Sequence, residues 1–175
     1  MFQSLWRIEL DKLKDKYLTL RDLYAGDVNW LNNGTFYLCF EVTIGWFGKE
    51  RVDFMTYSTD NTIRCYEIKV TLADLKSSAK QTFLGDYNYL VVTNELWEKI
   101  QANPDLKWKY SNQGILIFSE LRHNLGITSV KKAKKQNVTL GTRATVLESM
   151  VRSLNREVEK FYKVNPFWGL SEEVK

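Results

Sequence analysis

In the run Cys65-Tyr66-Glu67-Ile68-Lys69-Val70 a carboxylate and an ammonium stand two residues apart inside an otherwise apolar segment. A strand has a period of two, so Cys65, Glu67 and Lys69 share one face, and Tyr66, Ile68 and Val70 the other. On an exposed face such a pair is only a weak ion pair. Two further acids, Glu41 and Asp53, lie in the strand-like runs upstream, and the connecting loops decide how the three align. If Trp46-Phe47-Gly48 is a three-residue hairpin loop with Gly48 left-handed, Glu41 comes to face Asp53. If Thr59-Asp60-Asn61 is a second such loop with Asn61 left-handed, Asp53 faces Glu67. The three carboxylates then form one row across adjacent strands, roughly 4.5–5.5 Å apart at each step. Directly opposed like charges destabilise a sheet, unless a cation sits on them. Hard oxygens converging in this way select Mg2+ or Mn2+, which take phosphate oxygens as further ligands. Lys69 would reach the same spot, to stabilise charge developing on a phosphate or to position a water.

Several elements must hold these side chains in place. Thr35 to Gly45 alternates, with Phe36, Leu38, Phe40, Val42 and Ile44 toward one face and Tyr37, Cys39, Glu41 and Thr43 toward the other. Lys49 to Tyr57 and Thr62 to Val70 follow after short turns, which makes an antiparallel meander. Thr71 is an N-cap candidate, with Asp74 in the place of the capping-box acid, for a helix over about 72–84 that ends near Gly85. Tyr87 to Thr93 and Gly114 to Phe118 read as buried strands, and Asn94 caps a short helix running through Ile100. Strand, helix and strand between 62 and 93 imply a parallel crossover. Leu5, Ile8, Leu13, Tyr17, Leu20 and Tyr24 predict an amphipathic helix over about 4–24, closed by Gly26. A last helix over about 143–162 carries Val146, Met150, Val151, Leu154, Val158 and Phe161 on one face. The expectation is an α/β fold of the mixed α+β kind, a central mixed sheet flanked by helices. It forms a single domain over 1–175, with its core at about 35–120 and a loosely held tail at 165–175.

The composition excludes several classes. The chain has 175 residues, of which 44% are apolar, and a net charge of +4, which permits nucleic-acid binding without arguing for it. Cys39 and Cys65 lack the spacing of a zinc site and read as buried thiols in a reducing compartment. Neither an apolar leader nor a bilayer-length apolar stretch is visible, so a cytoplasmic location is expected. Gly-rich phosphate loops and Ser-His-Asp patterns are missing too.

Asp53 in one strand and Glu67-Ile68-Lys69 in the next resemble the D…(D/E)xK signature of the PD-(D/E)XK, or restriction-endonuclease-like, nucleases. The wider string Phe40-Glu41-Val42, Arg51-Val52-Asp53, Tyr66-Glu67-Ile68-Lys69, Asp74 and Asp86-Tyr87 is similar to small phage and bacterial members described as DNA-repair or recombination nucleases. The resemblance covers about residues 35–120. It implies a metal-dependent endonuclease that hydrolyses DNA phosphodiester bonds through an activated water, with Mg2+ or Mn2+ as cofactor. Asp53 and Glu67 would be metal ligands with the Ile68 backbone carbonyl, Lys69 the catalytic lysine, and Glu41 an additional acid. Besides DNA, a second copy of the chain or a replication or recombination protein would be its partner. Val52 stands where the family's Pro is usually written, and Gln81 lacks the spacing to Tyr87 expected of exonuclease-type members.

Other residues bear on the same reading. Lys80 and Gln81 are placed to contact a phosphate near the site, and Lys131, Lys132, Lys134 and Lys135 form a candidate DNA-binding patch. Trp46 and Phe47 either stack on an unpaired base or fold back onto the sheet. His123, the single histidine, reads as a surface residue. Two rival readings remain: a catalytically silent nuclease-like module that binds DNA or protein, and an interaction protein in which Glu67 and Lys69 form a surface salt bridge.

Overall fold

Turn chemistry fixes the first half of the sheet. Gly48 (φ 58°) and Asn61 (φ 69°) are both left-handed, and each closes a hairpin. The computed structural model describes residues 36–45, 48, 50–77, 81–121 and 124–164. The helix expected over 4–24, together with Trp46, Phe47, Lys80, His123 and the tail, lies outside the described residues. Strands β1 (Phe36–Ile44), β2 (Glu50–Ser58), β3 (Ile63–Lys69), β4 (Tyr87–Thr93), β5 (Gly114–Leu121) and β6 (Asn124–Lys131) line up in chain order. The pairs β1–β2, β2–β3 and β5–β6 are antiparallel, while β3–β4 and β4–β5 are parallel. Helix α1 (Leu72–Leu75) lies in the first crossover, α2 (Asn94–Ala102) and α3 (Pro104–Lys109) in the second, and α4 (Leu140–Val164) follows β6. This is the mixed α/β sheet flanked by helices that the sequence predicts. None of the described helices is long and apolar enough to cross a membrane.

Several expectations need correction. The helix over 72–84 is a single turn, Leu72–Leu75. Gln81 Nε2 donates to the Leu75 carbonyl (2.9 Å), and the Thr82 amide donates to Glu67 (3.2 Å) instead of to a carbonyl four residues back. The cap of α2 is Thr93, whose hydroxyl accepts from the Leu96 amide, rather than Asn94. Helix α3 and strand β6 were not expected at all, and α4 begins three residues earlier than Arg143. That helix buries Val146, Ser149, Met150 and Ser153, whereas Val151, Leu154 and Val158 are exposed.

The last correction concerns the faces of the strands. Leu38 and Phe40 pack with Phe54, Tyr66, Ile68, Val91 and Leu116 on one side of the sheet. Cys39, Val42 and Ile44 pack with Val52, Met55, Ile63, Cys65 and α4's Val146 and Met150 on the other. Strict alternation therefore breaks between Phe40 and Val42, and again between Val52 and Phe54. The cause on β1 is Glu41, left-handed at φ 52°, which turns the strand over. Arg156 takes up its carbonyl at 3.0 Å, and Ser149 and Ser153 accept the Gly45 and Thr43 amides. A second cluster, Leu75, Leu90, Val92, Leu96, Ile100, Leu106, Tyr110, Ile115 and Ile117, lies under α1, α2 and α3. It shares a face with the α4 cluster, because Glu67 pairs with Leu90 and Lys69 with Val92 in the parallel ladder. Glu67 and Lys69 thus occupy a polar seam between two apolar clusters.

Candidate active site

The pairs Phe40↔Phe54 and Val42↔Val52 bracket Glu41 against Asp53, and Phe54↔Tyr66 leaves Asp53 next opposite Glu67. The backbone row is the one derived from the loops. The side chains, however, go three ways. Glu41 Oε2 meets Arg51 Nε at 2.7 Å near the surface. Asp53 Oδ2 accepts from the Ile68 amide at 2.8 Å, within the gap that opens where the β2–β3 ladder stops. Glu67, 2% exposed, points into the seam, and its Oε1 accepts from the Thr82 amide. Consequently, among the described residues no group of three or more His, Cys, Asp and Glu stands close enough to hold a metal ion.

The Ile68 amide explains why Asp53 and this stretch of β3 belong together. In a strand the N–H and C=O of one residue point to the same edge. With its N–H on Asp53, Ile68 turns its carbonyl to the same gap. Two carboxylates and one carbonyl, all hard oxygen donors, therefore flank one strand step. That set suits a hard divalent cation.

Lys69, 8% exposed, follows Glu67 on the same face, with its Nζ 3.4 Å from Asp74 Oδ1. Asp74 is set by its own helix turn, since its amide donates to the Thr71 hydroxyl at 3.1 Å, as expected of that cap. Two residues that sequence reasoning passed over complete the seam. Thr82 Oγ1 donates to Glu50 Oε2 at 3.0 Å, so one threonine joins Glu50 and Glu67. Alternation with Val52 at the start of β2 was the available signal for Glu50. Thr82 carries none, because the spacing alone places it in a helix.

The basic and polar candidates divide. Gln81 is engaged within the fold, between the Leu75 carbonyl and the Tyr110 hydroxyl, which donates to its Oε1 at 2.6 Å. It thus bridges the end of α1 to the end of α3. Lys131 Nζ donates to the Tyr110 and Ser111 carbonyls at 2.6 and 2.9 Å, holding the C-terminal end of α3. Burial, then the Lys134 charge, lowers its pKa. Lys132, Lys134 and Lys135 are exposed. Asp86, from the resembling string, is structural as well: it accepts from Ile63 N (2.8 Å) and pairs with Arg143 (2.9 Å), which also reaches the Asn61 carbonyl. Cys39 and Cys65 are free and buried, and burial pushes their thiols up to about 11 and about 12.

No family model and no curated protein matches the chain. A solved structure of a protein of unknown function from Silicibacter pomeroyi is similar, with a TM-score of 0.55 and 19% identity over 78% of this chain and 86% of that one. That likeness concerns the fold alone.

Proposed function

We propose that the protein is a Mg2+- or Mn2+-dependent nuclease of the PD-(D/E)XK type, acting as an endonuclease on DNA. The observation that carries this reading is the burial of Glu67 and Lys69 side by side on β3, between two apolar clusters and beside Asp53. Burying charge is costly, and a chain that needed only packing there would place apolar residues. Asp53, Glu67 and the Ile68 carbonyl would hold the cation, which would supply charge neutralisation at a phosphate oxygen. Lys69 Nζ, steered by Asp74, would donate to the scissile phosphate or orient the attacking water. Glu50 and Thr82 would keep Glu67 in place. Lys132, Lys134 and Lys135 would lie along the DNA.

A second reading, a silent nuclease-like module, draws support from the partners each acid already has in the chain: Arg51 for Glu41, Ile68 N for Asp53 and Thr82 N for Glu67. Nicking of supercoiled plasmid with Mg2+ or Mn2+ separates the two. The wild type should nick, and Lys69→Met, which keeps the buried stem, should lose the rate by about 100-fold or more. A wild type inactive on linear, branched and single-stranded DNA alike would favour the module, and an active Lys69→Met would refute the assignment of that lysine.

A further inference from the structure

Helix α3 carries the sequence Pro104-Asp105-Leu106-Lys107-Trp108-Lys109, and Trp108 is 81% exposed. A tryptophan has a large apolar surface to bury and one N–H to satisfy, so leaving it in water between two lysines makes no contribution to the fold. The charges around it are mostly basic, with Asp105 one turn earlier on α3 the exception. Lys131 binds the carbonyls at the end of α3, and the Lys134 amide donates to the Asn112 carbonyl at 3.0 Å. These bonds fasten the segment after β6 beside α3, which brings Lys132 and Lys134 to the neighbourhood of Lys107 and Lys109. No Asp or Glu occurs in 106–113 or in 128–136. The surface is also joined to the candidate active site through the chain. Tyr110, the C-cap of α3, holds Gln81, and the next residue, Thr82, holds Glu67.

We propose that this surface binds single-stranded DNA, with Trp108 stacked on an unpaired base and the flanking lysines on the neighbouring phosphates. An exposed ring among ammonium groups suits an unstacked strand better than a duplex, whose base faces are already covered. A purely electrostatic surface would need no aromatic. The choice of DNA rests on the nuclease reading above; the preference for a single strand rests on Trp108.

The test is fluorescence anisotropy in EDTA with a labelled oligothymidine, a duplex of equal length, and heparin, a polyanion without bases. Trp108→Ala should weaken oligothymidine binding about ten-fold or more, Trp108→Phe should restore most of it, and affinity for duplex and heparin should change less than two-fold. Replacing Lys107 and Lys109 with Ser should flatten the dependence of log K on log salt by about 1.4 on the single strand. Absence of single-strand binding by the wild type, wild-type affinity in Trp108→Ala, or an equal loss on heparin would overturn the proposal. Circular dichroism checks that the variants fold. EDTA suppresses cleavage, so this outcome and that of the plasmid assay can each fail alone.

Discussion

Glu67 shows how narrow the tolerance of the seam is. Its carboxylate is buried against Cys65 and Leu90 yet held by a backbone amide, so removing the side chain would leave the Thr82 N–H unsatisfied as well as emptying the space. Glu67→Gln keeps the size and an acceptor oxygen while removing the charge. It should lower metal-dependent nicking by about 100-fold or more and leave the melting temperature unchanged or slightly raised, since a buried charge is gone. Undiminished nicking, or a fall of several degrees, would count against the role given to this carboxylate. The thiols give a second check at this scale. With Cys39 raised to about 11 and Cys65 to about 12 by burial, neither presents a thiolate near neutral pH. Ellman's reagent at pH 8 should react with neither in the folded protein and with both in guanidinium; fast reaction in the native state would show the core to be open. The row of acids was legible in the sequence because period-two alternation and left-handed turn residues are local properties. The directions of the side chains were not, because Glu41's positive φ and the Arg156 bond to its carbonyl depend on α4, more than a hundred residues away.

Elements divide along the same line between local and distant causes. The strands with strong patterning, Phe36–Ile44 through Ile63–Lys69 and Tyr87–Thr93, sit where alternation and turns put them. The stretch after Thr71 reads as a long helix on spacing alone, yet its amide at Thr82 is drawn to Glu67, a tertiary partner that spacing cannot reveal. Strand β6 contains Gly126, Thr128 and Ser129 and pairs at the sheet edge, so it lacks the apolar run that marked β5. The face of α4 differs from the expected one because Ser149 and Ser153, rather than Val151 and Val158, pack on β1 beside Val146 and Met150, where their hydroxyls accept amides. At the start of α4, Arg143 pairs with Asp86, which also accepts from the first amide of β3. Burial alone would raise the Asp86 carboxyl. The bonds from Arg143 and the Ile63 amide, with the charges of Arg143 and Lys135, outweigh it and lower the pKa. A folded value below the unfolded one gives stabilisation that is complete above about pH 4 and is lost as pH falls through the folded value. Asp86→Asn should therefore cost about 3 kcal/mol at pH 7, and its stability should fall less steeply than that of the wild type from pH 5 to pH 2. Urea titrations across that range would show it, and parallel pH profiles for the two proteins would remove Asp86 from the acid response.

At the scale of the whole molecule, the two clusters on the helix-covered face lie on either side of Glu67 and Lys69 of β3, so the seam between them there is polar. The β2–β3 ladder ends at Phe54↔Tyr66, and beyond it Asp53 on β2 stands next to Glu67 on β3, with the Ile68 amide donating to Asp53 across the two strands. A cation held by both carboxylates would therefore join β2, which carries the α4 cluster, to β3, which borders the other. Its effect would be felt in global unfolding, and not as a local stiffening. The unfolded chain has no such pair of oxygens in place, so binding to the folded state alone stabilises by RT ln(1 + [L]/Kd). With a dissociation constant of about 1 mM, 10 mM Mn2+ would add about 1.4 kcal/mol, a rise in melting temperature of about 3–5 °C for a domain of this size. Asp53→Asn is the matching control, because the amide oxygen can still accept from Ile68 while the charge is lost. Its melting temperature in EDTA should stay within a few degrees of the wild type, and the Mn2+-dependent rise should shrink to less than about 1 °C. Scanning calorimetry of both proteins, stripped with chelator and then titrated with Mg2+ or Mn2+, reads all of these quantities. A wild type that does not respond at 10 mM, or an Asp53→Asn variant that responds equally, would mean that these two carboxylates do not share a cation.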